Sequence, residues 1–343
     1  MATPTTANRP SPEHIFNTLT AYQSSAALKA AIELDIFTAI GDGAEQTSAI
    51  AQRVKAAERG VRILCDYLTV QGFLTKKDSR YALTQESAIF LSKRSPAYMG
   101  SVAEFLTSGA HKQNYEVLTE SVRKGGTAVE LGGDITQPHD ELWISFARSM
   151  AGFTTVSAGL LAELTGAAAG KPCKVLDIAA GHGMFGITIA KQNPNAQIVA
   201  LDWATVLKVA EENARAAGVA DRVKLLPGSA FDAELGEGYD YVLLTNILHH
   251  FDVATCEKLL RRVYGALKPG GKAITLEFVP NEDRVSPPMA ASFPLVMLAG
   301  TDAGDAYTLR EYETMFRNAG FAKTTLHTMP ELPQQVLVSE KSS

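Results

Sequence analysis

The segment Val175-Leu176-Asp177-Ile178-Ala179-Ala180-Gly181-His182-Gly183-Met184-Phe185-Gly186 constrains this chain more than any other stretch. An apolar strand-like run enters a glycine turn, and helical periodicity starts directly after it. Glycines at such a turn let a ligand approach the backbone, and the helix start offers free N–H groups. A strand, turn and helix of this kind open an open, mainly parallel α/β sheet. The rest of the C-terminal half fits that opening. Strands are expected over residues 174–178, 197–201, 223–226, 239–245 and 272–279, with 323–328 and 335–339 as an antiparallel closing pair. Helices are expected between them over 185–192, 204–217, 254–267 and 309–319, and Lys268-Pro269-Gly270-Gly271 marks a sharp boundary.

The chain is too long for that sheet alone. Its 343 residues exceed the roughly 150 typical of one domain, so a second is expected. Residues 1–12 read as a loose tail, without the apolar core of a signal peptide. The span 13–110 reads as short amphipathic helices: a run over 15–40 closed by Gly41-Asp42-Gly43, a helix capped by Thr47, and another over 58–71. Two short β runs around Lys76-Lys77-Asp78-Ser79-Arg80 follow. Helices and hairpin together make a winged helix. Residues 111–170 read as a helical linker that contributes to a pocket, including one long run over 141–164, and 171–343 as the cofactor-binding domain.

A winged helix can enter a DNA groove, but this one does not favour it. Lys plus Arg number 32 against 37 Asp plus Glu, giving a net charge of −5. The helix over 58–71 mixes Arg59 and Arg62 with Glu58 and Asp66. Dimerisation suits the apolar first helix better, so a homodimer is expected, with no nucleic-acid or membrane partner. Three scattered cysteines, Cys65, Cys173 and Cys256, fit reduced thiols in a cytoplasmic protein. No H-x-x-x-H or carboxylate cluster suggests a metal.

Asp202 closes the second strand nineteen residues after Gly183, where a carboxylate can accept both hydroxyls of a ribose. The pattern Gly181-x-Gly183-x-x-Gly186 satisfies the dinucleotide fingerprint, so an NAD-dependent oxidoreductase stands as one reading. Asp177 argues for another: a carboxylate before the loop repels a pyrophosphate and favours a cationic cofactor such as S-adenosylmethionine.

The fourth strand runs into Thr245-Asn246-Ile247-Leu248-His249-His250-Phe251-Asp252. Ligands of such sheets sit at the carboxyl ends of the strands. A histidine there can take a proton from a hydroxyl as a methyl group is transferred to it. Glu277, near the end of the fifth strand, can hold the His249 imidazole in one tautomer if the two strands are neighbours. His249 and Glu277 are therefore the candidate catalytic pair, and packing or a cofactor contact is expected of His250.

Taken in order, these blocks resemble the S-adenosylmethionine-dependent small-molecule O-methyltransferases of the plant caffeate/flavonoid and bacterial polyketide/hydroxyneurosporene type. The resemblance also rests on Tyr81-Ala82-Leu83-Thr84, Phe146-Ala147-Arg148-Ser149-Met150, Gly304-Asp305-Ala306-Tyr307-Thr308 and Asn318-Ala319-Gly320-Phe321. It implies a class I methyltransferase sheet of Rossmann type behind a winged-helix dimerisation domain. It implies that Gly181 and Gly183 line the cofactor, that Asp202 holds its ribose, and that His249 and Glu277 are the base and its orienting carboxylate. Asp177, Ala179, Trp203, Ser229, Ala230, Phe231 and Thr245 complete the expected cofactor wall. The acceptor, a small hydroxylated molecule, is expected against Trp143, Phe146, Met150, Phe153, Phe293 and Met297. Three departures stand out: Ala179 replaces the family's first loop glycine, His250 its usual Asp, and Ala306 the plant enzymes' second carboxylate. N- or C-methylation, or a non-methylating reaction of the same cofactor, remain alternatives on the same fold.

Overall fold

The apolar stretch that opens the chain forms two helices, Glu13–Glu33 and Ile36–Gly41, where the sequence pattern suggests one. Asp35 breaks them apart with a left-handed backbone (φ 60°), a conformation Asp tolerates better than most residues. The turn drives Ile36, Phe37 and Ile40 into a core shared with Ile50, Val61, Cys65, Leu68, Leu74 and Tyr81. Helices Thr47–Val54 and Glu58–Val70 follow. Thr47 is the first residue of its helix and not the expected cap, since Gln46 holds the cap position without a side-chain bond. Strands β1 (Leu74–Lys77) and β2 (Arg80–Leu83) close the winged helix. Asp78 and Ser79 both take positive φ between them, the two-residue turn whose twist suits a hairpin. The structure, a computed structural model, describes residues 10–129, 140–152, 154–329 and 332–343. The chain divides into two compact units, 1–108 and 109–343.

On the outer side of the first unit, Ile15, Phe16, Leu19 and Tyr22 are each more than 60% exposed along one helix. The Glu58–Val70 helix buries Val61, Cys65 and Leu68, and Arg62 pairs with Asp66 on its own helix. No described helix is long and apolar enough to cross a membrane.

The second unit is built on β3 (Cys173–Ile178), β4 (Ala196–Asp202), β5 (Val223–Pro227), β6 (Tyr239–Thr245), β7 (Leu267–Glu277), β8 (Lys323–His327) and β9 (Gln335–Glu340). Their order across the sheet is β5-β4-β3-β6-β7-β9-β8. The first five strands are parallel, and β9 and β8 add the antiparallel pair. The strand order reverses at β3, which lies between β4 and β6, so the ligand crevice belongs at its carboxyl end. Alternate residues feed opposite cores: Leu176, Ile178, Val242 and Leu244 meet Leu259, Leu260 and Phe316, while Val175, Leu243 and Ile274 meet Leu161, Phe185 and Ile187. This is the period of two that a sheet covered on both faces requires.

Three boundaries differ from expectation. Strand β7 begins at Leu267 because Leu267 pairs with Tyr239, and the Lys268–Gly271 segment forms an irregularity before pairing with β6 resumes at Lys272. It ends at Glu277, leaving Phe278 and Val279 outside. The helical run over 141–164 is two helices, Asp140–Met150 and Thr155–Leu164.

Gly186 sets the approach of the helix Met184–Gln192 to the sheet. A Cβ there would lie 2.6 Å from Ile198 Cγ2 and 3.2 Å from Asp177 Oδ2. Neither neighbour can retreat from a packed sheet. Replacing Gly186 by Ala is expected to destabilise the protein by about 1–3 kcal/mol, the range for overpacking. The measurement is the urea midpoint, with an unchanged slope showing that the same cooperative unit unfolds.

Candidate active site

A cavity opens at the carboxyl ends of the parallel strands, with about 1220 Å³ of space counted out to its mouth. Asp202 is the one carboxylate in its wall, and no Lys or Arg is among the described residues lining it.

Three loops build the cofactor side. After β3 the chain passes through Ala179 and Gly181, both with positive φ. Gly181 N donates to Asp202 Oδ2 at 2.8 Å, and Trp203 N donates to Oδ1 at 2.7 Å. Each carboxylate oxygen therefore keeps a lone pair for a ligand hydroxyl. Burial pushes the Asp202 carboxyl up to about 6, against the two N–H bonds that lower it. The third loop is fixed from several sides: Gly228 N donates to Asp202 O, Phe231 N to Ser229 Oγ, and Arg262 to the Phe231 and Ala233 carbonyls. Ala179, Gly181, Asp202, Trp203, Ser229, Ala230, Phe231 and Thr245 all line the cavity.

Asp177 and Gly183 are not in that wall. Asp177 is fully buried beneath the loop, where its Oδ2 accepts from Gly186 N at 3.2 Å and its Oδ1 has no partner. Its expected place beside a ligand is corrected to one behind the loop. Burial pushes its carboxyl up to about 7, with the Asp202 charge adding to the rise. Gly183 caps the Met184–Gln192 helix and faces Ala210. Ala179, where the family carries glycine, holds φ 54°, a strained conformation for a residue with a Cβ.

The second constellation joins β6 to β7, which are neighbours. His249 lies in the short turn Leu248–His250, and its Nδ1 is 2.5 Å from Glu277 Oε2. Glu277 Oε1 accepts from Ile247 N at 3.0 Å and Leu248 N at 2.8 Å. Glu277 is fully buried and His249 only 3% exposed. The bond at Nδ1 leaves Nε2 as the nitrogen available for proton transfer. Phe293 stands edge-on to the His249 ring at 4.8 Å and stacks on Phe278 at 3.8 Å. Asp305 N donates to the His249 carbonyl, while Arg284 holds the Asp305 side chain. Glu277 is the one carboxylate bonded to the His249 ring among the described residues.

On the expected acceptor side, Trp143, Phe146 and Met150 line the cavity. Phe293 and Met297 do not: Phe293 covers His249, and Met297 is buried in the helix Pro288–Gly300. Phe153 lies outside the described residues. His250, and not His249, is in the cavity wall, its ring 5.8 Å from that of Trp143. Burial first, and then the neighbouring His249, hold its pKa well below the usual histidine range, so it is neutral.

Sequence reasoning passed over His182, Asn246 and Gln334, all in the wall. His182 carried a signal, its place inside the glycine loop. Its Nδ1 accepts from Met184 N, which puts its proton on Nε2, and burial lowers its pKa to about 4. Asn246 and Gln334 carried none. No described cluster of three His, Cys, Asp or Glu could hold a metal ion.

Comparison with known proteins agrees with this geometry. The family model of an O-methyltransferase domain matches residues 145–322, and that of an O-methyltransferase dimerisation domain matches 16–93. A solved structure of a candidate O-methyltransferase from Nostoc punctiforme is 51% identical, covers 97% of this chain and 100% of its own, and superposes with a TM-score of 0.92. The 3-hydroxy-5-methyl-1-naphthoate 3-O-methyltransferase of Streptomyces sahachiroi is 29% identical over 85% of this chain and 84% of its own. Human N-acetylserotonin methyltransferase, solved with S-adenosylmethionine, shares the fold at 20% identity and a TM-score of 0.84, covering 99% of this chain and 100% of its own. The chain belongs to the O-methyltransferase family and carries that family's dimerisation domain at its N-terminal end. It is an enzyme of methyl transfer, and the oxidoreductase alternative falls with that assignment.

The buried Asp177 carboxyl, bonded at only one oxygen among the described residues, has a measurable signature. Its raised pKa means that ionisation is disfavoured in the folded state. The resulting cost is absent below the ordinary aspartate value of 3.8, grows as pH rises, and is complete above about 7. Asp177→Asn is expected to leave stability near wild type at pH 4 and to exceed it at pH 8, by on the order of 4 kcal/mol at most. Paired denaturation curves across that range check it.

Proposed function

We propose that the protein methylates a hydroxyl of a small aromatic or polyketide-like molecule, with His249 as general base oriented by Glu277. The observation that carries this reading is the buried His249–Glu277 hydrogen bond beside the cavity at the carboxyl ends of the strands. The naphthoate activity of the Streptomyces relative supports an aromatic hydroxyl as acceptor.

The cavity fits a cationic nucleoside cofactor. Among the described residues its only charged wall residue is Asp202, and the Asp202 charge further disfavours ionisation of the buried Asp177 behind the loop. A pyrophosphate would find no cation there. S-adenosylmethionine supplies an electrophilic methyl group on a sulfonium and departs as S-adenosylhomocysteine. Asp202 would hold the ribose hydroxyls, and Ser229, Ala230 and Phe231 would flank the adenine. His249 Nε2 takes the proton of the acceptor hydroxyl as the new C–O bond forms. Glu277 keeps the Nδ1 proton in place and stabilises the imidazolium that results. Phe293 and His250, the rings against His249, govern access to Nε2. The apolar stripe of Ile15, Phe16, Leu19 and Tyr22, within the dimerisation domain, suits a contact with a second copy of the chain.

A mass-shift screen of phenols and hydroxynaphthoates with S-adenosylmethionine, reading one added methylene, identifies a working acceptor. With it, His249→Ala is expected to lower the rate by ~10²-fold or more while S-adenosylhomocysteine affinity stays within a few-fold. A full-rate variant would show that the base lies elsewhere.

Asp202 predicts a second behaviour. Ribose hydroxyls bond the ionised carboxylate, so binding must displace its proton at low pH. Calorimetric affinity for S-adenosylhomocysteine is expected to be flat above pH 7 and to fall as pH drops through about 6. Asp202→Asn is expected to bind weakly with no such pH dependence.

A further inference from the structure

Two side-chain amides meet at the carboxyl end of β7, outside the methyl-transfer machinery. Asn246 directly follows β6; its backbone N–H donates to Leu276 O at 2.9 Å, and its φ is 55°. Asn tolerates this left-handed region better than most residues with a side chain. Gln334 directly precedes β9, whose first residue, Gln335, stands opposite Glu277 in the sheet. Gln334 Nε2 donates to Asn246 Oδ1 at 2.9 Å, and both residues line the cavity.

Each side-chain amide carries one carbonyl and one NH2 group. When two amides share one hydrogen bond, one carbonyl and one NH2 are left over. Exchanging oxygen and nitrogen in both amides gives the same remainder, so the conclusion does not depend on how they are oriented. The pair therefore offers the cavity a donor and an acceptor side by side.

The sheet order says which ligand can use them. Asp202 ends β4, and Gln334 begins next to β9, four strands away. At strand spacings near 4.8 Å that separation is about 19 Å for Gln334 and about 10 Å for Asn246, which follows β6, two strands from β4. The amides thus lie on the far side of the switch point from the ribose carboxylate, next to Glu277 and three residues before His249. Among the described residues the wall has no Lys or Arg with which an anionic ligand group could pair.

We propose that Asn246 and Gln334 form an acceptor-recognition element for a neutral group that combines a carbonyl with an adjacent donor. The substrate class is an aromatic hydroxyl with a neighbouring carboxamide or equivalent. This rests on the methyltransferase reading above and specifies its acceptor.

The test is calorimetric titration of the S-adenosylhomocysteine-saturated protein with 3-hydroxy-2-naphthamide, 3-hydroxy-2-naphthoate and 2-naphthol. The naphthamide is expected to bind about tenfold more tightly than either of the others, the worth of one to two net hydrogen bonds. Asn246→Gly, which suits the positive φ, and Gln334→Leu are each expected to shrink that preference to threefold or less. Neither should move 2-naphthol or S-adenosylhomocysteine affinity more than twofold, and thermal melts confirm that both variants fold. Equal binding of the three ligands to the wild type overturns the proposal, as does a preference that survives both substitutions. Weakened S-adenosylhomocysteine binding with the preference intact assigns the pair to the cofactor and also overturns it. Failure of the wild type to bind S-adenosylhomocysteine at all would instead sink the methyltransferase reading itself.

Discussion

Glu277 is a fully buried carboxylate whose three hydrogen bonds come from consecutive residues, Ile247, Leu248 and His249. An ionised group so far from water costs several kcal/mol unless its lone pairs are occupied. The chain leaving β6 must therefore fold over the end of β7, and that requirement orders much of the site. Asn246 takes its left-handed conformation at the start of this turn, and the Leu248 carbonyl accepts from the Cys256 thiol behind it. From the other side Asp305 N bonds the His249 carbonyl. The imidazole is fixed at its ring by Glu277 and along its backbone by both flanks. An imidazole held at its ring and along its backbone has little freedom to reorient.

Electrostatics at the other end of the cavity run in the opposite sense. Asp177 and Asp202 are both acids whose charge is disfavoured by burial, and neither has a cation against it. They are tolerated because each takes at least one backbone N–H, from Gly186 for the first and from Gly181 and Trp203 for the second. Such bonds lower a carboxyl pKa without supplying net charge. The missing positive charge is a property of the ligand. A sulfonium nucleoside with an ammonium group provides it, whereas a dinucleotide would add two more negative charges.

The sequence pattern disclosed the strands and their mainly parallel sense, because apolar period and turn residues are local signals; the adjacency that brings His249 to Glu277 was a condition there, and the pairing of β6 with β7 supplies it. The pattern placed Asp177 correctly on β3 but on the wrong side of the loop, since nothing local distinguishes a side chain beneath a glycine turn from one above it. The break at Asp35 and the early start of β7 at Leu267 were equally hidden: one depends on a single dihedral, the other on pairing with Tyr239, twenty-eight residues earlier. Gln334 was illegible for a deeper reason. It reaches the cavity only because β9 runs antiparallel, which brings the beginning of a late strand to the ends of the early ones.

The adjacent histidines show how environment separates two identical side chains. His249 has a carboxylate at Nδ1; His250 has none, and its buried Nδ1 has no partner among the described residues. Trp143 Nε1, on a ring 5.8 Å away, is likewise buried without a partner. Both residues line the cavity. Two unpaired polar atoms in one wall each cost about 1–3 kcal/mol, which a folded chain bears where a ligand will meet them. Burial keeps His250 neutral. Its ring and the indole of Trp143 form a polar-tipped aromatic part of the cavity wall.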